Sequence, residues 1–272
     1  MSATWHGDPP PPDPPIGPAG WLSVICRGVP LALLVSGGLA LHLTLRLIER
    51  PLCGTQRPVT PRITVFVCRN ALRLMGLRLR LTGPEFSRQG AVVANHSSWL
   101  DIFVLNATRR IYFVSKAEVA SWPAIGWLAR ATGTVFIERN RSRAAEQAQL
   151  FQSRLHAGHQ LLFFPEGTSS DGQRVLPFKT TLFAAFFAGG LKETLAIEPV
   201  TVLYQAPPGQ DPRFFGWWGD MTFGAHILKC LASGAGGQVT VVRHPPFHVR
   251  DFADRKALAA ACEAAVRSAH TV

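Results

Sequence analysis

From residue 77 onward, short apolar runs alternate with helical patterns, and this alternation restricts the fold more than any other feature of the chain. The first run, Leu77-Arg78-Leu79-Arg80-Leu81, has strict period two, and further β-like runs cover residues 91–94, 111–114, 134–137, 160–164, 197–203 and 238–242. Helical patterns lie between them at 142–156 and 179–188, the second meeting a Gly189-Gly190 stop, and an Ala-rich closing helix is expected over 251–269. Strands that alternate with helices bury most of their sheet between helical layers, which is the α/β class. At 272 residues the chain has room for one such domain, expected over 77–272, plus an N-terminal appendage.

The appendage divides in two. Residues 1–20 carry the run Pro9-Pro10-Pro11-Pro12-Asp13-Pro14-Pro15, which can form neither helix nor sheet and predicts a disordered tail. No positively charged stretch precedes the first apolar segment, against the pattern of a cleaved secretory signal. Residues 21–76 read as a membrane-associated helical region. Residues 29–48 match the roughly 20 residues of a membrane span, while Pro30, Gly37-Gly38, His42 and Arg46 fit a helix that only dips into one leaflet. Read as a span, the basic residues after it (Arg46, Arg50, Arg57, Arg62) put the main domain in the cytoplasm. A second helix is expected from Arg62 to about Met75, with Arg62, Arg69 and Arg73 within about 40° of one another on its wheel. A basic stripe on an apolar helix reads as a surface for anionic headgroups, the plainer alternative being a solvated charged face.

Composition narrows the partner. Lys and Arg number 28 against 17 Asp and Glu, a net charge of +11, which favours nucleic acid, a membrane or acidic substrates and carriers. The 47% hydrophobic content and the N-terminal region favour the membrane, and no nucleic-acid reading motif is present. The five cysteines (Cys26, Cys53, Cys68, Cys230, Cys262) form no C-x-x-C pair and no His cluster has metal spacing, so neither zinc nor disulfides are expected.

Chemistry concentrates in two places. Val92-Val93-Ala94-Asn95-His96-Ser97-Ser98-Trp99-Leu100-Asp101 is an apolar strand running into a histidine, with an aspartate five positions on. On one continuous helix those side chains would point about 140° apart. They meet only if His96 lies in the turn before the helix, with Ser97 or Ser98 as N-cap and Asp101 in the first turn. The result is an imidazole oriented by a carboxylate, the base of a serine-hydrolase triad without its serine, so the nucleophile would be a substrate hydroxyl. Second, Leu161-Leu162-Phe163-Phe164-Pro165-Glu166-Gly167-Thr168-Ser169-Ser170 runs another apolar strand into a polar turn, and strands of an open α/β sheet build sites at their carboxyl ends. A third strand, Thr134-Val135-Phe136-Ile137, leads to Glu138-Arg139, where a guanidinium could grip a phosphate or carboxylate through two hydrogen bonds.

These blocks resemble the glycerolipid acyltransferases that acylate 1-acylglycerol-3-phosphate and related lysolipids. The resemblance rests on N-H-x-x-x-x-D (residues 95–101), G-x-x-F-I-x-R (133–139), F-P-E-G-T (164–168) and V/I-x-P (197–200), in the family's order over about residues 77–203. Glu138 stands where aspartate is more usual, and Phe178-Lys179-Thr180-Thr181 lacks the glycine many relatives carry after the lysine. Tyr112-Phe113-Val114-Ser115-Lys116-Ala117-Glu118, Ser170-Asp171-Gly172 and the 207–220 stretch look closer to the subgroup that acylates lyso-ornithine lipid.

The resemblance implies a mixed sheet flanked by helices with an N-terminal membrane-docking helical region. It implies that His96 deprotonates the acceptor hydroxyl, that Asp101 holds the imidazole, and that Lys116, Arg139 and the Glu166-Gly167-Thr168 turn contact substrate, the arginine and the turn at the acceptor's polar head. The donor would be a thioester on acyl carrier protein or coenzyme A, with no metal or other cofactor. The enzyme would sit on the cytoplasmic side of the inner membrane. Backbone N–H groups near the His96 turn are candidates for steadying an oxyanion. A serine lipid hydrolase is the main rival, but no G-x-S-x-G elbow occurs and Ser97 adjoins His96 instead of facing it. A non-enzymatic membrane-binding protein leaves both polar turns unexplained.

Overall fold

The computed structural model describes residues 4–13, 15–84, 90–122, 125–138, 144–187, 190–233 and 236–270. Its strands are β1 (Leu77–Thr82), β2 (Ala91–Ala94), β3 (Tyr112–Lys116), β4 (Val135–Ile137), β5 (Leu161–Phe163), β6 (Ala196–Gln205), β7 (Gly237–Arg243) and β8 (Phe247–His248). They form one mixed sheet in the order β1-β7-β6-β2-β5-β3-β4, with β8 paired to β6. The central strands β6, β2, β5, β3 and β4 run parallel, β7 is antiparallel to β6, and β1 is parallel to β7. Each apolar run of the sequence therefore became a strand, and the two-residue β8 was not foreseen.

The helices are α1 (Pro18–Cys53), α2 (Thr60–Leu74), α3 (Leu100–Thr108), α4 (Ile125–Thr132), α5 (Ala144–His156), α6 (Leu191–Thr194), α7 (Phe223–Ala232) and α8 (Arg255–Ser268). Successive strand residues point to opposite faces, so the unbroken apolar run of β2 serves two cores. Val92 and Ala94 pack with Leu72 of α2, Val104 of α3 and Leu231 of α7, while Ala91 and Val93 pack with Phe151 of α5 and Leu258 of α8. Helix α2 thus shares a core with the sheet. The helix expected over 179–188 is a 3-10 turn, Leu182–Phe187, in which Phe183 and Phe186 are buried against Phe163 at ring distances of 5.3 and 5.5 Å. Their spacing of three matches the 3-10 repeat, which brings both rings to one side.

Helix α1 is 36 residues long, with a mean hydropathy of 1.9 over its most apolar 18-residue window and only 6% of that window buried. By length and composition it is long enough to cross a membrane. Leu22, Ile25, Val29, Leu33 and Leu47 face outward, whereas Leu31, His42 and Glu49 face inward. Its far end is tied to α2 through Glu49, whose carboxylate accepts Val59 N at 2.7 Å and Thr60 N at 3.2 Å. Arg46, which weakened the expectation of a span, turns back to Glu49 at 3.2 Å and to the Gly54 carbonyl at 2.7 Å.

Residues 4–13, expected to be disordered, form no helix or strand but lie along the domain, with the Asp8 carbonyl accepting the Trp218 indole N–H at 3.0 Å. Proline forbids regular structure there without forbidding ordered extended chain, and tryptophan and charged partners hold it in place.

Candidate active site

The parallel strands bring their carboxyl ends to one edge of the sheet, and the predicted residues collect there. His96 follows β2, Lys116 ends β3, and residues 164–168 follow β5. Arg139, the residue expected beyond β4, lies outside the described residues.

Where β2 stops, the Asn95 side chain continues its pairing: the amide donates to Val202 O at 2.9 Å and its oxygen accepts Val202 N at 2.7 Å. The next residues are gripped from three sides. Glu166 accepts His96 N at 2.9 Å, Ser170 N donates to His96 O at 2.9 Å, and Trp217 N donates to Ser97 O at 2.8 Å. A buried turn keeps its shape only when its backbone groups are paired in this way.

Held in that turn, His96 places Nδ1 2.8 Å from Asp101 Oδ2. The Asp101 side chain is fully buried, and it accepts three more hydrogen bonds: Ser97 N at 2.8 Å, Ser98 N at 3.0 Å and the Tyr204 hydroxyl at 2.7 Å. An ionised carboxylate only accepts, so Nδ1 carries the proton and Nε2 keeps its lone pair. The ring stacks on Phe164 at 4.0 Å and 11°, and its side chain is 21% exposed. The imidazole is thus fixed on one face and at one nitrogen, and a substrate can approach the other.

Two sequence expectations change here. Neither Ser97 nor Ser98 occupies the N-cap of α3; Trp99 does, without a side-chain capping bond, while Ser98 Oγ accepts Leu100 N at 3.4 Å and Asp101 reaches back from the first turn to the N–H groups of both serines. The same carboxylate therefore orients the histidine and pairs the backbone N–H groups of the turn that precedes α3. As a consequence the N–H groups of His96, Ser97 and Ser98 are already engaged and are not spare donors for an oxyanion.

The Glu166-Gly167-Thr168 turn divides its work. Glu166 is buried, and its oxygens accept His96 N at 2.9 Å and Leu176 N at 3.2 Å, so this carboxyl braces the His96 turn. Burial pushes its pKa up to about 8, the two backbone donors opposing and the Asp101 charge adding. Gly167 takes a left-handed φ of +71°, a conformation a side chain would strain, and half-buried Thr168 accepts Trp5 N at 3.3 Å. Lys116 is half-buried at the end of β3. No group of three or more His, Cys, Asp or Glu stands ready for a metal among the described residues.

Tyr204 was not anticipated. It sits on β6 on the same face as Val200 and Val202, and its hydroxyl is kept protonated well above the usual tyrosine range by burial and by the Asp101 carboxylate. Period two along β6 places it on that face, but its meeting with Asp101 depends on β6 lying beside β2, which spacing does not disclose.

One hollow leads to this arrangement and a second lies along α2, beside the residues that precede β3. An apolar cavity of about 220 Å³ lies between α1, α2, α3 and α4, lined by Leu39, Ile63, Val67, Phe103, Phe113 and Leu128 among others. Phe113 stacks on Phe164 at 5.9 Å, and Phe164 stacks on His96, so the cavity wall continues to the imidazole. A groove of about 590 Å³ is lined by Arg62, Arg69 and Arg73 of the predicted stripe, together with Phe66, Arg109 and Arg110.

The Acyltransferase family model matches residues 78–202. Over 264 residues the chain is 59% identical to the lyso-ornithine lipid O-acyltransferase of Rhodobacter capsulatus, covering 97% of this chain and 96% of that one. The chain belongs to the acyltransferase family. The lyso-ornithine lipid O-acyltransferase of Pseudomonas aeruginosa is 34% identical over 91% of this acyltransferase and 93% of its own length. The 1-acyl-sn-glycerol-3-phosphate acyltransferase of Neisseria gonorrhoeae is 40% identical over 43% of this chain and 47% of its own. The crystal structure of the 1-acyl-sn-glycerophosphate acyltransferase of Thermotoga maritima shares the fold, with a TM-score of 0.56 at 20% identity, over 90% of this acyltransferase and 96% of that chain. The family and subgroup resemblance read from the sequence motifs is met.

Proposed function

We propose that this acyltransferase moves a fatty acyl group from a thioester, on acyl carrier protein or coenzyme A, to the free hydroxyl of lyso-ornithine lipid, giving ornithine lipid. The observation that carries the chemistry is the His96–Asp101 pair with Nε2 open and, among the described residues, no protein nucleophile facing it. Ser97 Oγ is buried and makes no hydrogen bond, which disfavours the hydrolase reading. His96 Nε2 takes the proton of the acceptor hydroxyl as its oxygen attacks the thioester carbonyl. The C–S bond then breaks, and the imidazolium, balanced by Asp101, returns the proton to the departing thiolate. The thioester supplies the driving force, so the step needs no metal or other cofactor.

The acceptor assignment is supported by the relatives above, which include 1-acylglycerol-3-phosphate enzymes, so that lysolipid is the competing acceptor. By family resemblance Arg139, Lys116, Gly167 and Thr168 meet substrate, with Glu166 acting through the His96 turn. The apolar cavity offers an acyl chain a dry wall leading to His96. Helix α1 and the arginine groove of α2 support docking on an anionic membrane, with the domain on the cytoplasmic side of the inner membrane.

Mass spectrometry of products from the purified enzyme, with both acceptors and both donors, tests the reading. Ornithine lipid should form and should be lost in His96→Ala, with turnover lowered by roughly 10² to 10⁴. Release of free fatty acid with no acylated acceptor would refute acyl transfer, and product from lysophosphatidate alone would refute the acceptor.

A further inference from the structure

The N-terminal segment is tied to the domain at several points along its length. Asp13 pairs with Lys229 of α7 at 3.1 Å, the Pro9 carbonyl accepts Arg213 at 3.4 Å, and the Asp8 carbonyl accepts the Trp218 indole at 3.0 Å. His6 lies 3.8 Å from Asp220. The contacts end at Trp5, whose backbone N–H donates to Thr168 Oγ1 at 3.3 Å and whose carbonyl accepts Gly219 N at 3.2 Å. The Trp5 indole packs 6.4 Å from the Trp218 ring and lies under the Arg174 guanidinium at 5.3 Å. Arg174 in turn is 2.9 Å from the buried carboxylate of Asp171 and 3.6 Å from Asp8.

Every protein group this segment touches near its end belongs to loops that frame His96. Thr168 is two residues from Glu166, which holds the His96 turn, and the residue after Thr168 leads to Ser170, which bonds the His96 carbonyl. Trp217, next to Trp218, bonds the Ser97 carbonyl. The segment is therefore a strap across the two loops that flank the catalytic turn, with a half-buried indole set beside the one side-chain hydroxyl of the Glu166-Gly167-Thr168 turn.

We propose that residues 4–13 form part of the acceptor site, with Trp5 as a positioning and specificity residue that holds Thr168 and Arg174 toward the acceptor's polar head. This rests on the reading that the Glu166-Gly167-Thr168 turn meets the acceptor. An indole gives a rigid wall at small entropic cost, and Arg174, already stacked on it and paired with two carboxylates, presents its remaining donors in a fixed direction. The strap ties specificity to a stretch of chain leading directly into α1, so the acceptor head is recognised at the end of the molecule that meets lipid.

The test uses the full chain in three forms, Trp5→Ala, Trp5→Phe and deletion of residues 2–12, with each substrate varied at saturating levels of the other. The deletion, which removes the Trp5 N–H along with the indole, should raise the acceptor KM roughly 3- to 10-fold, the range of one hydrogen bond and its packing. Trp5→Ala, which keeps that backbone donor and loses only the indole's packing on Trp218 and Arg174, should give a smaller rise of about 2- to 5-fold. Donor KM and the thermal midpoint should hold, and Trp5→Phe should recover most of the loss. An unchanged acceptor KM in both the deletion and Trp5→Ala would overturn the proposal, as would a faster enzyme after deletion, which would make the strap a shield. Thr168→Val in the deleted chain separates the two readings. A further rise in acceptor KM keeps the turn on the acceptor side whatever the strap does, and no change removes the turn from the acceptor site.

Discussion

Asp101 receives four hydrogen bonds with no solvent contact, from His96, Ser97, Ser98 and Tyr204. Its partners are not equal in consequence. Asp101→Asn puts an amide where an acceptor is needed by three donors, turns the imidazole to the wrong tautomer and should cost turnover nearly as much as losing His96. Tyr204→Phe removes one donor and leaves Oδ1 unpaired, which should cost about 1–3 kcal/mol of stability and on the order of a tenfold fall in kcat, with both KM values held. Equal losses in the two variants, or none in Tyr204→Phe, would show that the tyrosine does not tune the pair. Glu166 makes a separate prediction in pH. Its ordinary carboxyl value is 4.5 and burial raises it to about 8, so between those values the folded protein keeps a proton the unfolded chain has released. Its contribution to stability is then complete below about 4.5, is lost as pH rises toward 8 and is flat above, on the order of a few kcal/mol in all. Glu166→Gln cannot titrate, and its stability should fall less steeply over that window in urea melts; parallel slopes would assign the pH dependence elsewhere. The histidine and aspartate were legible because strand, turn and helix follow each other at fixed spacing. Tyr204 and the bracing role of Glu166 were not, since both arise from strands brought together over long sequence separations.

At the scale of elements, the sheet was readable because strands buried on both faces appear as unbroken apolar runs such as residues 91–94 and 161–163. The order of those strands was not, because a run of Val, Ile and Leu pairs equally well with any other. Helices α4 and α7 were missed for a related reason: they are short, at 8 and 10 residues, and their positions follow from what they cover. Of the Gly37-Gly38 pair, which weakened the reading of α1 as a span, Gly38 acquires a physical reason in the structure. A Cβ on Gly38 would stand 2.4 Å from Val67 Cγ2, so α1 and α2 approach at a point where no side chain fits, beside the apolar cavity. Gly38→Ala should force the helices apart and destabilise by about 1–3 kcal/mol despite the better helix propensity of alanine. Adding Val67→Ala should restore much of that loss, because it removes the methyl in the way. Additive destabilisation in the double-mutant cycle would mean that the two positions do not share a contact.

The whole molecule poses the question of whether α1 is an anchor hung on a finished domain or a wall of the domain itself. The two faces of the helix pull in different directions. Leu22, Ile25, Val29, Leu33 and Leu47 face outward, and the net charge of +11 includes the arginines of the α2 groove, as an anchor beside an anionic surface would require. Yet Leu31 is buried in the same core as Leu72, Val104 and Leu231, Ser23 Oγ donates to Leu231 O at 2.8 Å, and Glu49 caps the approach to α2. The outward face is what a bilayer would cover; the inward face is what the sheet's helical layer would lose. Deleting residues 1–53 removes both. A detachable anchor would leave a soluble, cooperatively melting domain that acylates detergent-dispersed acceptor. The packing predicts the opposite: the deletion uncovers Val67, Cys68 and Leu231, opens the apolar cavity along one side, and strips the N–H groups of Val59 and Thr60 of their acceptor. Several buried aliphatic contacts at about 1–3 kcal/mol each approach the 5–15 kcal/mol that holds a typical domain together. The truncated chain should therefore melt more than 10 °C lower in detergent, by roughly the shift that a few kcal/mol produce in a domain of this size. By contrast, Arg62→Glu with Arg69→Glu and Arg73→Glu should keep the wild-type midpoint to within a few degrees and lose binding to anionic vesicles in a salt-sensitive way. Calorimetry and vesicle flotation on the two proteins decide the matter, and a truncated enzyme that melts like the full chain would make α1 an anchor alone.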